Sequence, residues 1–467
     1  MELLLHYHHT HLPRQKHGLM FNRKKGEKMQ LMKDYHERVK KLLPGGVHYN
    51  FNLPWEESPI HYVNTKGSRV WDMDGKEYLD LYARFGAMIL GHGNKEYNNA
   101  LKDVMDRVLS VSHCDIDAEA LEAIHKYVPS AELIRFGLSG TEIIQNAIRV
   151  ARAYTGRNKF VRFNNHYHGN ADNIMGGKSM DKSNPFPSDY VGDSKGTEGR
   201  AFGIMEEQSY LIEWNDAEVL EDLFRQNADD IAAVIMEPVC VNGGSIMPKQ
   251  GFLQRVRELC TQYGVVLIFD EVITGFRMGL GGAQTEFGVI PDLTTMAKAV
   301  AGGGVPVAVL AGKKEIMNLL TEKRVIHAGT FNGYPLGVAA VKATIDILGR
   351  DNGLVYTQMK KQTGKIHNIM RRIAKEEGLP LVVQGPLLCG AYHCCENELL
   401  IPSEYSEEIQ IKDIILNAAL QRNGILVSSI SRIYPNISLN DNDVDWFEEH
   451  AGRAIREAKT LINEIYE

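Results

Sequence analysis

The chain has 467 residues, more than one hydrophobic core usually fills, so two domains or a large and a small lobe are expected. Its 44% hydrophobic and 24% charged residues are those of an ordinary soluble globular protein, and a net charge of −7 argues against nucleic acid or an anionic membrane as partner. No apolar run approaches the roughly 20 residues that span a bilayer, and the six cysteines lack framework spacing, which predicts free thiols in a reducing cytoplasm.

In chain order, residues 1–28 are basic and carry His6, His8, His9 and His11. A disordered tail or linker is expected there, with a metal-binding tract as the alternative; the features of a signal or transit peptide are missing. A helical pattern over 29–43 ends at Pro44-Gly45-Gly46. Residues 68–82 alternate on both sides of Asp74-Gly75, which predicts a hairpin with a type I′ turn. Over 94–109, Leu101, Val104, Met105 and Val108 share one helical face.

The helix predicted over 139–156 opens on Ser139, Gly140 and Thr141, where unpaired backbone N–H groups and the helix dipole favour a phosphate. A plain serine cap with Glu142 as its capping-box partner is the other reading of the same residues. After a strand over 159–163, Tyr167 and His168 stand at the entrance of a long polar loop; they could stack on a planar cofactor or simply pack locally. His393 beside Cys394 and Cys395 invites a metal site, but neighbouring strand residues point to opposite faces, so a buried strand is expected and no metal.

The stretch VVLIFDEVITGFRMGLGGAQTEFGVIPDLTTMAKAVAGGGVP, 265–306, organises the chain. The run 231–239, the helix 251–264 and the run 265–269 form a right-handed βαβ unit of a parallel sheet. Glu237, Asn242 and Asp270 therefore fall near the C-terminal edge of one sheet, where open α/β sheets bind ligands. Lys298 lies in an apolar segment, which depresses a lysine's pKa and leaves part of it a neutral amine able to form a Schiff base. An acid for a pyridinium nitrogen and a lysine for an aldehyde are what pyridoxal phosphate needs.

This stretch resembles the cofactor signature of class III aminotransferases, most closely the glutamate-1-semialdehyde aminomutase group. LLPGGV (42–47), MILGHGN (88–94), SGTE (139–142), YHGNAD (167–172), EWND (213–216), MEPV (236–239) and HAGTFNGYP (327–335) follow in the family's order. The resemblance implies an α/β, fold-type-I pyridoxal-phosphate transferase acting as a homodimer. Its mostly parallel, seven-stranded-type sheet would lie in a large cofactor-binding domain, 81–345. A smaller α+β domain would form from 29–80 and 346–467. It also implies that Lys298 is the Schiff-base lysine and Asp270 the partner of the ring nitrogen. Gly140 and Thr141 would hold the phosphate, with Thr330 from the neighbouring subunit; Tyr167 and Val272 would flank the ring, and Asn242 would approach its 3′-oxygen.

The departures concern substrate. Where the aminomutases carry an arginine for the substrate carboxylate, this chain has Asn52, in HYNFNLP, and asparagine lacks the charged fork that grips a carboxylate. Substrate contacts are therefore sought at Tyr49, Asn52, Arg84 and Arg432. The expected activity is amino transfer from a donor to a keto acid, ketone or aldehyde, including a β-keto acyl group on an acyl-carrier domain. The alternatives are the intramolecular aminomutase reaction and a non-catalytic protein of the same fold.

Overall fold

The buried runs of the sequence become the middle of one sheet. The computed structural model describes residues 30–50, 59–175 and 208–466; the tail over 1–28 and Asn52 lie outside them. The central strands are β4 (Leu133–Gly137), β5 (Lys159–Phe163), β6 (Ser209–Ile212), β7 (Ile231–Met236), β8 (Val266–Glu271), β9 (Leu293–Met296) and β10 (Ala308–Gly312). They lie in the order β4-β10-β9-β8-β7-β5-β6. Only β10 runs antiparallel to its neighbours, β4 and β9, so the sheet is mixed and mostly parallel.

Continuous apolar runs are needed because both faces of this sheet are covered. Alternation of side chains sends Val266 and Ile268 of β8 into a layer with Ile144 and Ile148 of helix α3 (Gly140–Thr155). It sends Leu267 and Phe269 into the opposite layer, with Val256 and Leu259 of α4 (Phe252–Tyr263). Each such side chain fully withdrawn from water contributes about 1.5–3 kcal/mol. Gly264 ends α4 in the left-handed conformation, at φ 63°, and turns the chain directly into β8.

Two smaller sheets flank the main one. β1 (Tyr62–Lys66), β2 (Arg69–Asp72) and β3 (Glu77–Asp80) are joined by β13 (Ile425–Leu426), which pairs parallel to β3. β11 (Val382–Gln384), β12 (Gly390–His393) and β14 (Arg432–Ile433) are antiparallel. Leu79 and Leu81 near the N-terminus share a core with Ile415 and Leu416 of α7 (Glu407–Arg422) and with α8 (Asp441–Tyr466). On α8, Phe447, Ala451, Ala454 and Ala458 are buried, and Leu461 and Ile465 pack against the same core.

Two local expectations are corrected. The hairpin around Asp74-Gly75 forms, but of the pair only Gly75, at φ 78°, is left-handed, whereas a type I′ turn needs both central residues there. The Asp72 carboxylate dictates the turn instead, accepting from the N–H groups of Asp74 (3.0 Å) and Lys76 (2.8 Å). On α2 (Lys95–Arg107) Tyr97 and Val104 are buried, while Met105 of the predicted apolar face is 53% exposed. For the metal motif, the two ring nitrogens of His393 meet an Asp413 oxygen (2.7 Å) and the Gly244 carbonyl (3.0 Å).

Phe269 fills the layer between β8 and α4 and is fully buried. Phe269→Ala should therefore cost about 3–5 kcal/mol of unfolding free energy in urea titrations of the cofactor-free protein; a cost below about 1 kcal/mol, that of an ordinary surface change, would mean this layer is not core.

Candidate active site

The period of β8 that buries Ile268 also aims Asp270. Residues 266, 268 and 270 share the face covered by α3, and Asp270 emerges at the end of the strand beside the start of that helix. Its Oδ2 lies 2.6 Å from Nδ1 of the buried His168, and its Oδ1 accepts from Val272 N–H (3.0 Å) and the Thr295 hydroxyl (3.4 Å). Glu271, one residue on, points the other way. It accepts from Ala283 N–H (2.6 Å), Gln284 N–H (3.2 Å), the Gln284 side chain (2.9 Å) and the Thr274 hydroxyl (3.0 Å). One acid looks into the cavity; the other holds the glycine-rich loop.

Lys298 begins a one-turn 3-10 segment, Lys298–Ala301, with its own backbone at φ 50°, a costly conformation for a side-chain-bearing residue. Its Nζ makes no hydrogen bond or ion pair among the described residues. Burial lowers its pKa from 10.5 to about 8; the carboxylates of Asp270 and Glu237 oppose that shift, and the Arg277 cation adds to it. A neutral amine is thus within easy reach near physiological pH.

At the start of α3 the cap and the anion seat prove compatible. Ser139 Oγ accepts from Glu142 N–H (3.2 Å), the Glu142 carboxylate accepts from Leu138 N–H (2.9 Å), and Ile143 N–H makes the first intrahelical bond to Ser139 O. The backbone N–H groups of Gly140 and Thr141 remain without protein acceptors among the described residues, at the wall of the cavity. The Thr141 hydroxyl donates to Asn170 Oδ1 (3.1 Å), tying the YHGN loop to the seat.

Glu237, at the end of β7, organises the far side. Its Oε1 accepts from Tyr167 N–H (2.8 Å) and the Asn242 side chain (2.8 Å), its Oε2 from the N–H groups of Val241 (3.0 Å) and Asn242 (3.2 Å). Burial, then the nearby Asp270 carboxylate, push its pKa up, against the pull of His168 and these donors.

Gly140, Thr141, Tyr167, Glu237, Asn242, Asp270, Val272 and Lys298 all line one cavity, together with Ile144, Ile273 and Thr274, which no sequence motif singles out. Ser139 and His168 stand behind it as cap and as partner of Asp270. Thr330 is exposed and is not among the lining residues.

The substrate candidates scatter. The Tyr49 hydroxyl meets that of Tyr82 at 3.3 Å. Arg84 is exposed, on a turn in which Ala83, Arg84, Phe85 and Gly86 all have positive φ (45°, 51°, 55° and 80°). For the three residues with side chains this costs about 1–2 kcal/mol each. Arg432 is fully buried, donating to the carbonyls of Val241 (2.5 Å), Asn242 (2.8 Å) and Ile430; it braces the Asn242 loop and is absent from the cavity wall.

Sequence reasoning also missed Arg277, fully buried, which donates to the carbonyls of Gly86 and Pro435 and whose pKa burial pulls down to about 10. No spacing signals an arginine that bonds only to carbonyls.

A sequence profile of the Aminotransferase class-III family matches residues 53–454. The chain belongs to the class-III aminotransferases. A glutamate-1-semialdehyde 2,1-aminomutase of Desulfitobacterium hafniense is 34% identical over 441 residues, covering 90% of this chain and 97% of that protein. Another, of Ignicoccus hospitalis, is 39% identical over 342 residues, covering 72% and 77%. The crystal structure of an omega-transaminase from Sphaerobacter thermophilus superposes with a TM-score of 0.83 at 27% identity, covering 93% of this chain and 100% of that one. The protein is accordingly a pyridoxal-phosphate-dependent enzyme of the α/β transferase fold. Its residues fit the cofactor: an unpaired amine, a carboxylate in the same cavity and two free N–H groups at a helix start.

The lowered pKa of Lys298 has a thermodynamic signature. Between about 8 and 10.5 the unfolded lysine binds a proton that the folded one has lost, so this residue makes the cofactor-free protein more stable as pH rises through that window. The urea midpoint of the wild type relative to Lys298→Met should rise across it. A flat difference would place the folded pKa at its ordinary value.

Proposed function

We propose that this enzyme is an intermolecular aminotransferase, moving an amino group from a donor to a keto acid, ketone or aldehyde. One observation carries the reading: an unpaired Lys298 amine and the Asp270 carboxylate line the same cavity as the free N–H groups of Gly140 and Thr141. Bound there, pyridoxal phosphate supplies an aldehyde that takes up amines and a ring that draws electrons from the substrate's Cα. Gly140 and Thr141 bind the phosphate through backbone N–H groups. Asp270 keeps a proton on the ring nitrogen, and His168 holds that carboxylate in place from behind. Tyr167 and Val272 would flank the ring, and Asn242, oriented by Glu237, would approach its 3′-oxygen. Lys298 Nζ, a general base whose lowered pKa suits the task, would take the proton from the substrate's Cα and pass it across the intervening nitrogen to the cofactor's former aldehyde carbon.

The active unit in this reading is a cytoplasmic homodimer in which Thr330 completes the partner subunit's phosphate seat. Ile326 and Phe331, 71% and 60% exposed beside it, support that placement, being apolar side chains without cover among the described residues. The cofactor-binding domain is 81–345; 29–80 and 346–467 form the smaller one, consistent with the core shared by Leu79 and α8.

The curated relatives favour a second reading, the intramolecular aminomutase. Against it stands Asn52, at the position where the resemblance places the aminomutases' carboxylate-binding arginine. The two differ in stoichiometry: a transaminase releases one keto product per amine formed and stops when acceptor is withheld, whereas a mutase turns over on one substrate alone. Supplying single amino donors, with and without pyruvate, decides between them. Turnover should vanish in Lys298→Ala and fall on the order of 10²–10³-fold in Asp270→Asn; normal turnover in either variant refutes the assigned role.

A further inference from the structure

The most strained backbone among the described residues is the turn Ala83–Gly86, four successive left-handed residues. Such strain persists only where the surroundings over-determine it, and here they do. Asp80 Oδ1 accepts from the N–H groups of Tyr82 (3.0 Å) and Ala83 (2.8 Å) at the entry, while its Oδ2 meets His92 at 2.7 Å. At the exit, Met88 N–H donates to Ala83 O (2.9 Å), and the buried Arg277 donates to Gly86 O. A Cβ on Gly86 would stand 2.8 Å from the Tyr434 ring, so no other residue closes the turn.

This turn packs beside the segment that begins with the lysine. Residues of Ala83–Gly86 and of Lys298–Ala301 approach within 8 Å between Cα atoms, and Ala83 packs in one apolar cluster with Ile273 of the cavity wall. The residue it displays is Arg84, exposed and without a hydrogen bond or ion pair among the described residues. The nearest acid in sequence, Asp80, is already engaged by the turn and His92. Beside Arg84 the rings of Tyr82 and Phe85 meet edge-to-face at 4.8 Å, and Tyr49 meets Phe85 at 5.9 Å.

We propose that Arg84 is the anion-binding residue of the substrate site, gripping a carboxylate that the substrate carries beyond its reacting carbon. The proposal rests on the aminotransferase reading and narrows it to acids, in preference to carrier-bound thioesters or simple amines. An unpaired guanidinium carried on a fixed backbone turn, packed against the segment that bears Lys298, offers a bidentate fork to a carboxylate. Arg277 is then a positioning residue that fixes the turn from beneath.

The test follows the loss of visible absorbance of the holoenzyme with L-alanine, β-alanine and L-glutamate, and with ethylamine and propylamine as carboxylate-free counterparts. In Arg84→Ala and Arg84→Gln the kcat/KM ratio of acid over matching amine should fall on the order of 100-fold, through KM, and Arg84→Lys should recover part of it. Sedimentation should give the same assembly mass as the wild type. An unchanged ratio, or equal losses on acids and amines with a changed mass, overturns the proposal and makes Arg84 a structural or interface residue. If the wild type responds to no donor at all, the aminotransferase reading falls, and this proposal with it.

Discussion

A carboxylate placed inside the protein at the end of β8 is the constraint on which the cavity depends. Putting a charged oxygen pair there is costly unless donors surround it, and Asp270 has three, from His168, Val272 and Thr295. Burial likewise penalises the charged form of Lys298, bringing its pKa down to about 8, low enough for the neutral amine to react. One cavity thus holds both a carboxylate and an amine of lowered pKa, the pair that the proposed mechanism uses. Glu237 adds a second buried acid, spent on orienting Tyr167 and Asn242.

Rigidity around this pair is obtained with unfavourable backbone. Lys298 itself and the whole Ala83–Gly86 turn sit in the left-handed region, and the two segments lie side by side. What holds them is the interior: Arg277 and Arg432, both fully buried, bond to carbonyls of Gly86, Pro435, Val241 and Asn242. Neither arginine has a carboxylate partner among the described residues. They act as cross-braces between the C-terminal strands and the loops that wall the cavity.

Much of this is legible in the sequence because it depends on short-range rules. Apolar runs mark β7 and β8, a serine before a glycine marks the start of α3, and an acid at a strand end beside a lysine among glycines marks the cofactor site. The hairpin turn departs from expectation because a side chain, Asp72, replaces the two left-handed residues its dipeptide suggests. Glu271 is easily passed over, though the period of the strand separates it from Asp270. The charge of Arg432 points to a substrate anion, and only the fold reveals that its guanidinium is consumed by carbonyls. The proposed substrate side is least legible, since the turn that carries Arg84 is brought beside the lysine's segment by packing of residues distant in sequence.

The central claim is that the Asp270 carboxylate keeps the cofactor's ring nitrogen protonated. Nitrogen-15 NMR of the holoenzyme, loaded with pyridoxal phosphate labelled at that atom, measures it directly. A protonated nitrogen is expected in the wild type and an unprotonated one in Asp270→Asn. An unprotonated nitrogen in the wild type, or one indifferent to the substitution, would contradict it.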